Sequence, residues 1–270
     1  MERLRSIIKR VDLVGWIVPA VVVLVWLWLS VSGQIPAYKL PSPVALLRVL
    51  ADFASGSLGV TPYSGALWEN LGVSLLRVLA GFFMAGSLGM LMGFLTGRIT
   101  VLRRLFDPVI HLLKAVPGIG WLPIAIVWFG VGEGNTLFLM SLAAFFPIYV
   151  NTAAGAAGIP ETYIQAGQML GAQGFRLFRS VIFPAAFPQT AVGLRLGLGV
   201  AWAYLVLGEV TGVTKGLGAI MSDARMLGHV DMVLAAMIVI AVAAKVTDFL
   251  LVVICRRIYP RGGMKNESGI

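Results

Sequence analysis

The residues able to do chemistry in this sequence are few, and they form no catalytic constellation. Ionisable side chains interrupt or border long apolar runs at Arg77, Lys114, Arg195, Glu209, Lys245 and Asp248. A charge placed in hydrocarbon is costly, so each needs a partner, a route to the interface or a function. Lys245 and Asp248 stand at i, i+3, which predicts a pair on one helix face. Lys114 and Arg195 fall toward the cytoplasmic side of their runs. Snorkelling or structural pairing suits Lys114; Arg195 can snorkel or line a path for an anion. Glu209, at the external end of its run, is a gate or cavity residue or an interfacial one. His111 and His229 read as ordinary interfacial histidines. No Gly-Lys dipeptide occurs, so there is no P-loop, and no HExxH, GxSxG or Cys/His metal spacing is present. The single cysteine, Cys255, excludes an internal disulfide and a Cys-rich metal site. The 12 acidic residues are scattered, with no catalytic pair. The expectation is a chain that is not an enzyme, holds no metal or cofactor, and takes any energy it uses from an ion gradient or a partner.

The elements that must position these residues are membrane spans. Of the 270 residues, 59% belong to the AVILMFWYC set, a further 32 are glycine, and only 12% are charged, half the usual ~25%. A soluble enzyme, a disordered tail and a disulfide scaffold are all excluded by that balance. Runs of about 20 apolar residues predict six spans: Leu13 to Val31, about Asn70 to Arg98, Pro108 to Val131, Asn135 to Ala157, Pro184 to Glu209, and Asp231 to Cys255. The first is too long for a signal-peptide core and no small-x-small site follows it, so it reads as a retained helix. One set of loops carries Arg3, Arg5, Lys9, Arg10, Arg98, Arg103, Arg104, Arg176, Arg179, Arg256, Arg257, Arg261 and Lys265. The other set carries only Lys39, Arg48, Lys215 and Arg225. The positive-inside rule then puts both termini in the cytoplasm. The net charge of +9 is a topology signal, and no nucleic-acid partner is needed to explain it.

Within the spans, Gly89, Gly93 and Gly97 recur at four-residue spacing, as do Gly193 and Gly197. Small residues at i, i+4 let helix backbones approach closely in lipid, here more within one subunit than between subunits. Pro117 and Pro123 flank Gly118, Gly120 and Trp121, a composition that breaks or kinks a helix. Broken helices line transporter pathways, which makes Lys114, Pro117 and Trp121 candidate pathway residues with Arg195 and Glu209. Leu40-Pro41-Ser42-Pro43 precedes Val44 to Phe53, either an amphipathic surface helix or an ordinary connecting one.

The loop from Ile159 to Phe183 is longer than the other cytoplasmic loops and helix-compatible on both sides of Gly171. A rigid helix standing off the membrane is suited to docking in a partner's groove. Arg176 and Arg179 suit lipid headgroups as well. The segment resembles the EAA loop of ABC-transporter permease subunits. Gln165, Ala166 and Gly167 fall on the E-A-A positions, Gly171 on the glycine, and Val181, Phe183 and Pro184 on I-x-L-P. Gln165 for Glu, Gly167 for Ala and Phe183 for Leu depart from the pattern. The resemblance extends through Leu40 to Pro43, Lys114 to Pro117, Trp128 to Gly132, Phe146 to Thr152 and Gly193 to Arg195, toward the aliphatic sulfonate, taurine and nitrate branch. Ser222 to Arg225 and Ala244 to Asp248 look closest to the sulfonate permeases.

This resemblance implies an all-α integral membrane protein with the type I ABC importer permease fold, in the bacterial inner (plasma) membrane. Residues 1–65 would be an accessory span and external amphipathic segment, 66–255 the transport core with coupling loop 159–183, and 256–270 a cytoplasmic tail. Two ATPase subunits would dock on Gln165, Ala166, Gly167, Gly171 and Ala172, carrying the ATP and Mg. A second permease copy, an external substrate-binding protein and the bilayer complete the partners. The implied substrate is a small organic anion, an aliphatic sulfonate first, with taurine or nitrate as alternatives. A self-sufficient secondary transporter is the reading from another class, but the sequence contains no inverted repeat.

Overall fold

The computed structural model describes residues 13–32, 35, 36 and 38–258. The terminal charges Arg3, Arg5, Lys9, Arg10, Arg261 and Lys265, and most of the tail 256–270, lie outside the described residues. The described residues contain helices and turns only: α1 (Leu13–Val31), α2 (Pro43–Ser55), α3 (Leu67–Arg98), α4 (Thr100–Ala115), α5 (Leu122–Phe129), α6 (Glu133–Ala157), α7 (Glu161–Met169), α8 (Gly174–Val210), α9 (Leu217–Met226) and α10 (Val230–Ile258). Four of them, α3, α6, α8 and α10, are long and apolar enough to cross a membrane. The expected third span is not one helix. The chain leaves α4 at Val116 and Pro117, makes a 3-10 turn over Gly118–Trp121 and re-enters as α5, so that the two arms are bent by 93°. Pro117 cannot donate a backbone hydrogen bond and restricts Val116 to extended backbone, which ends α4 there. With this pair counted as one span there are five, and α1 is a further apolar helix.

The described residues fall into two compact units. One comprises those up to Trp68 with Ile220–Met237. Its centre is Asp52 on α2, fully buried, whose carboxylate accepts the backbone N–H groups of Leu58 and Gly59 on one oxygen (3.0 and 2.8 Å) and of Val60 and Thr61 on the other (3.0 and 3.2 Å). The Ser64 hydroxyl also donates to it. One side chain thereby replaces the secondary structure that this loop lacks. Ser42 caps the helix start by accepting the Ala45 N–H, with Pro43 at the first position. Leu46, Val49 and Phe53 are buried while Val44 and Leu47 are exposed, so α2 is amphipathic.

The other unit comprises Glu69–Ala219 with the chain from Ile238 onward. Here α6 lies between α3 and α8. Its Ile148, fully buried, fills a notch on each side: a methyl on Gly89 of α3 would lie 2.9 Å from Ile148 Cγ2, and one on Gly197 of α8 would lie 2.7 Å from Ile148 Cγ1. Gly93 and Gly97 face Thr152 and Ala156 in the same way, and Gly193 faces Asn151. Each glycine lets a neighbouring backbone approach by the width of a methyl group. Around them Val78, Ala85, Met140, Ala144, Leu194, Leu198, Ala201, Trp202 and Leu205 form one core. Trp202 Nε1 donates to Thr247 Oγ1 (3.0 Å) and ties α10 to α8.

Two outcomes are expected. Gly197→Ala should lower the thermal midpoint in detergent, since Ile148 is walled in by Gly89 behind it and overpacking costs ~1–3 kcal/mol. Gly199→Ala, two residues along the same helix with nothing within 4 Å of the added carbon, should be neutral or stabilising by up to ~1 kcal/mol. The Ser64 hydroxyl, with the N–H groups of Thr61, Leu58 and Gly59, holds the Asp52 pKa below its ordinary 3.8 against the opposing effect of burial. A lowered folded pKa means that the loop's stabilisation is complete above pH 3.8 and lost as pH falls through the folded value. Hydrogen exchange at Leu58 to Thr61 should therefore stay protected at pH 5 and lose protection below the free-carboxylate range. Protection that did not change with pH would contradict this.

Candidate functional site

The candidate pathway residues separate into three environments. At one end of the α3, α6 and α8 layer, Glu209 is 1% exposed. Its carboxylate accepts Arg77 Nη1 (2.6 Å), the Ser74 hydroxyl (2.7 Å) and the Gly218 N–H (2.7 Å). Arg77, also buried, donates further to Glu133 (Nε to Oε2, 2.7 Å, and Nη2 to Oε1) and to the Lys215 carbonyl (2.6 Å). Ser74 Oγ in turn accepts the Leu217 N–H, and Asn70 Oδ1 the Gly216 N–H. Gly216, at φ +129°, leaves no space for a side chain, because a Cβ would stand 2.4 Å from Glu209 Oε1. Glu209 is thus the anchor that joins α3, α6, α8 and the turn before α9. The sequence reading overlooked Arg77 as its partner. The available signal was a lone arginine one turn beyond Ser74, in an apolar run that starts at the same membrane face as Glu209.

Arg195 is the second environment. Its Nε and Nη2 donate to the two oxygens of Asp248 (2.9 and 3.1 Å). This corrects the expected Lys245–Asp248 pair. A guanidinium from the adjacent helix offers a planar two-point contact that an ammonium at i−3 does not.

The third environment is a cleft of about 390 Å³. Lys114, Gly118 and Trp121 line it from the broken helix, Phe146 and Asn151 from α6, and Val200 and Tyr204 from α8. Lys114 and Trp121 therefore meet, with Pro117 between them in sequence making the break, while Arg195 and Glu209 lie elsewhere. No carboxylate lines the cleft. Lys114 has no ion-pair partner among the described residues, and Trp121 Nε1 is buried without a hydrogen-bond partner. Gly118 is required by contact, since its Cβ would fall 1.8 Å from the Tyr204 hydroxyl.

The loop expected to couple to a partner is built separately. α7 ends at Leu170 in a Schellman turn: Gly171 N–H donates to the Gln168 carbonyl (2.9 Å) and Ala172 N–H to that of Gly167 (3.0 Å), with Gly171 at φ +81°. Gly167 is buried, and a methyl there would lie 2.9 Å from Val181 and 3.0 Å from Leu177. The glycine at an E-A-A position thus lets α7 lie close on the start of α8. Ile164 enters a cluster with Phe94, Ile159 and Ala186, on which Phe178 and Phe183 pack. Phe94 stands edge-on to Phe178 at 5.1 Å and tilted to Phe183 at 5.8 Å. Outside this anchor Tyr163, Met169, Leu170 and Phe175 are exposed, Met169 and Leu170 to 87% and 89%. Gln165 and Ala166 are on the exposed side and Ala172 is buried.

Replacing Glu209 by Gln leaves Arg77 with half its compensation in a buried position, where breaking a pair costs ~3–5 kcal/mol. The E209Q variant should unfold at markedly lower temperature in detergent. The double variant R77M/E209Q should lose less than the sum of the single losses, and strict additivity would show that the two residues are not coupled.

A family model described as "Binding-protein-dependent transport system inner membrane component" matches residues 85–261. The taurine transport system permease protein TauC of Escherichia coli strain K12 is 35% identical over 90% of this chain and 88% of its own length. A Bacillus subtilis strain 168 protein named for aliphatic sulfonates transport, the permease SsuC, is 33% identical over 87% of this chain and 82% of its own. In fold, the chain is similar to a chain of the inward-facing MetNI methionine ABC transporter, with TM-score 0.56 at 21% identity, covering 71% of this chain and 94% of that one. A chain that is matched over most of its length by this family and these permeases belongs to the binding-protein-dependent inner membrane components, the permease subunits of ABC transporters, which are transport components and not enzymes.

Proposed function

We propose that this permease, with a second copy of itself, forms the membrane pathway of an ATP-driven importer for a small organic anion, an aliphatic sulfonate in the first place. The observation that carries the coupling half is α7. A short helix held by Gly167 and Ile164, closed by Gly171 and showing Tyr163, Met169 and Leu170 to solvent, is an apolar knob with no internal function. A groove on an ATPase subunit is the occupant that suits it. ATP and Mg then belong to that partner. Closure of an ATPase pair would draw two such helices together, and α8, continuous with the chain after α7, would carry the movement into the membrane. An external binding protein would deliver the solute. The apolar runs support six spans and the lysine and arginine bias supports cytoplasmic termini, with residues 66–255 as core, 1–65 as accessory segment and 256–270 as tail.

The substrate half rests on likeness to the taurine and sulfonate permeases over more than four-fifths of the chain. Taurine and nitrate are the neighbouring choices.

A tagged chain should co-purify with an ATPase. Gly171→Val forces a β-branched residue into left-handed backbone, at ~1–2 kcal/mol or more, and should remove that association while leaving membrane insertion intact. Uptake by the purified single chain without an ATPase would overturn the proposal. Calorimetry on the cognate binding protein should give tighter binding of sulfonates than of sugars or cations, and the reverse order would overturn the substrate assignment.

A further inference from the structure

The geometry points to an anion-holding station inside the permease itself: the cleft at the broken helix binds the sulfonate headgroup on Lys114, Trp121 Nε1 and the Tyr204 hydroxyl, and the solute's short alkyl part against Phe146 and Val200. This inference rests on the organic-anion reading above and adds where the anion rests.

The argument begins with charge. Of the other intramembrane charges considered above, Arg77 pairs with Glu209 and Glu133 and Arg195 with Asp248, while Lys245, without an ion pair among the described residues, does not line the cleft. Lys114 alone of the candidate pathway cations faces a cleft, and no carboxylate lines that cleft. Lys114 is exposed at this cleft, and an ammonium without a counter-charge there attracts an anion from solution. Hydrogen bonding agrees with charge. The indole N–H is a donor with no acceptor capacity, and here it is buried without a partner. Such orphaned donors are uncommon in folded chains and call for a cause. The Tyr204 hydroxyl likewise has no partner among the described residues. A sulfonate offers three acceptor oxygens to these donors.

Shape agrees as well. About 390 Å³ lies within the ~300–1,000 Å³ of small-molecule sites. The remaining lining is mostly aliphatic and aromatic, which favours an anion with an alkyl part over a bare inorganic one. Finally, the station is built from two elements, the broken helix and α8. Tyr204 on α8 rests on Gly118 at the point where α4 and α5 part. Movement of α8 relative to that break would open or close the donor set.

The test uses the permease–ATPase complex in phosphatidylcholine nanodiscs without binding protein, with 2,2,2-trifluoroethanesulfonate as a fluorine NMR probe. Its signal should broaden on addition of wild-type complex and recover on competition with ethanesulfonate. Trifluoroethylamine, cationic at neutral pH, should not broaden. Lys114→Gln should weaken binding at least tenfold and Lys114→Arg should restore most of it. Trp121→Phe and Tyr204→Phe should each weaken it several-fold. Arg48→Gln on α2 should leave it unchanged. Co-elution with the ATPase confirms that each variant is folded. No broadening by wild type, or binding by Lys114→Gln within twofold of wild type, overturns this inference. Failure of the chain to purify with any ATPase overturns instead the importer reading beneath it.

Discussion

The constraint on which the structure depends is that helices in lipid gain little from hiding apolar surface, because the solvent is equally apolar. What holds α3, α6 and α8 together must then be close contact. Ile148 supplies the centre of it, with a glycine notch on each side. The van der Waals attraction of one atom pair is small, and it becomes sufficient only when backbones come near enough for many pairs to form. The glycines permit that approach. Removing the space at one of them would shift α6 against both neighbours, since the residue that would have to yield is confined on its far side.

A layer packed this tightly can also carry buried charge. Arg77, Glu209 and Glu133 sit where three helices meet a turn, and the guanidinium makes four hydrogen bonds there. Such a network contributes less to net stability than to uniqueness. It costs much to break and little to leave alone, so it selects one arrangement of helix ends. Arg195 and Asp248 form a more exposed two-point pair between α8 and α10. The outcome is a division of labour among charges of similar appearance in the sequence. Those in the packed layer neutralise one another, and Lys114, on a helix that stops short, remains available.

The same division separates rigid from adaptable parts. The α3, α6 and α8 layer is continuous and glycine-notched. The α4–α5 segment is interrupted, and α7 stands on a small aromatic anchor around Phe94, Phe178 and Phe183. α8 links the two, running from the end of the α7 loop through a π-helical turn at Phe178–Ile182 to the Glu209 anchor. One continuous helix therefore touches both α7 and the cleft.

The class of the protein was legible in composition alone, because a chain this apolar must place most of its surface in lipid. The helix break at Pro117 and the left-handed turn at Gly171 were legible too, since proline and glycine act through local backbone sterics that no tertiary context alters. The spacing of Gly89, Gly93, Gly97, Gly193 and Gly197 announced close packing but not its counterpart; that Ile148 stands between two of them is a property of three helices at once. The charges were the least legible. Asp248 has Lys245 one turn away in sequence, yet Arg195, 53 residues distant, takes it. Glu209 carried three readings until Arg77, 132 residues away, was placed beside it. Sequence by itself determines what depends on one residue and its neighbours: hydropathy, backbone freedom, capping. Which charge meets which, and which is left facing a cleft, only the tertiary structure decides, because electrostatic pairing depends on distance in space and on shared burial, and neither is a function of separation along the chain.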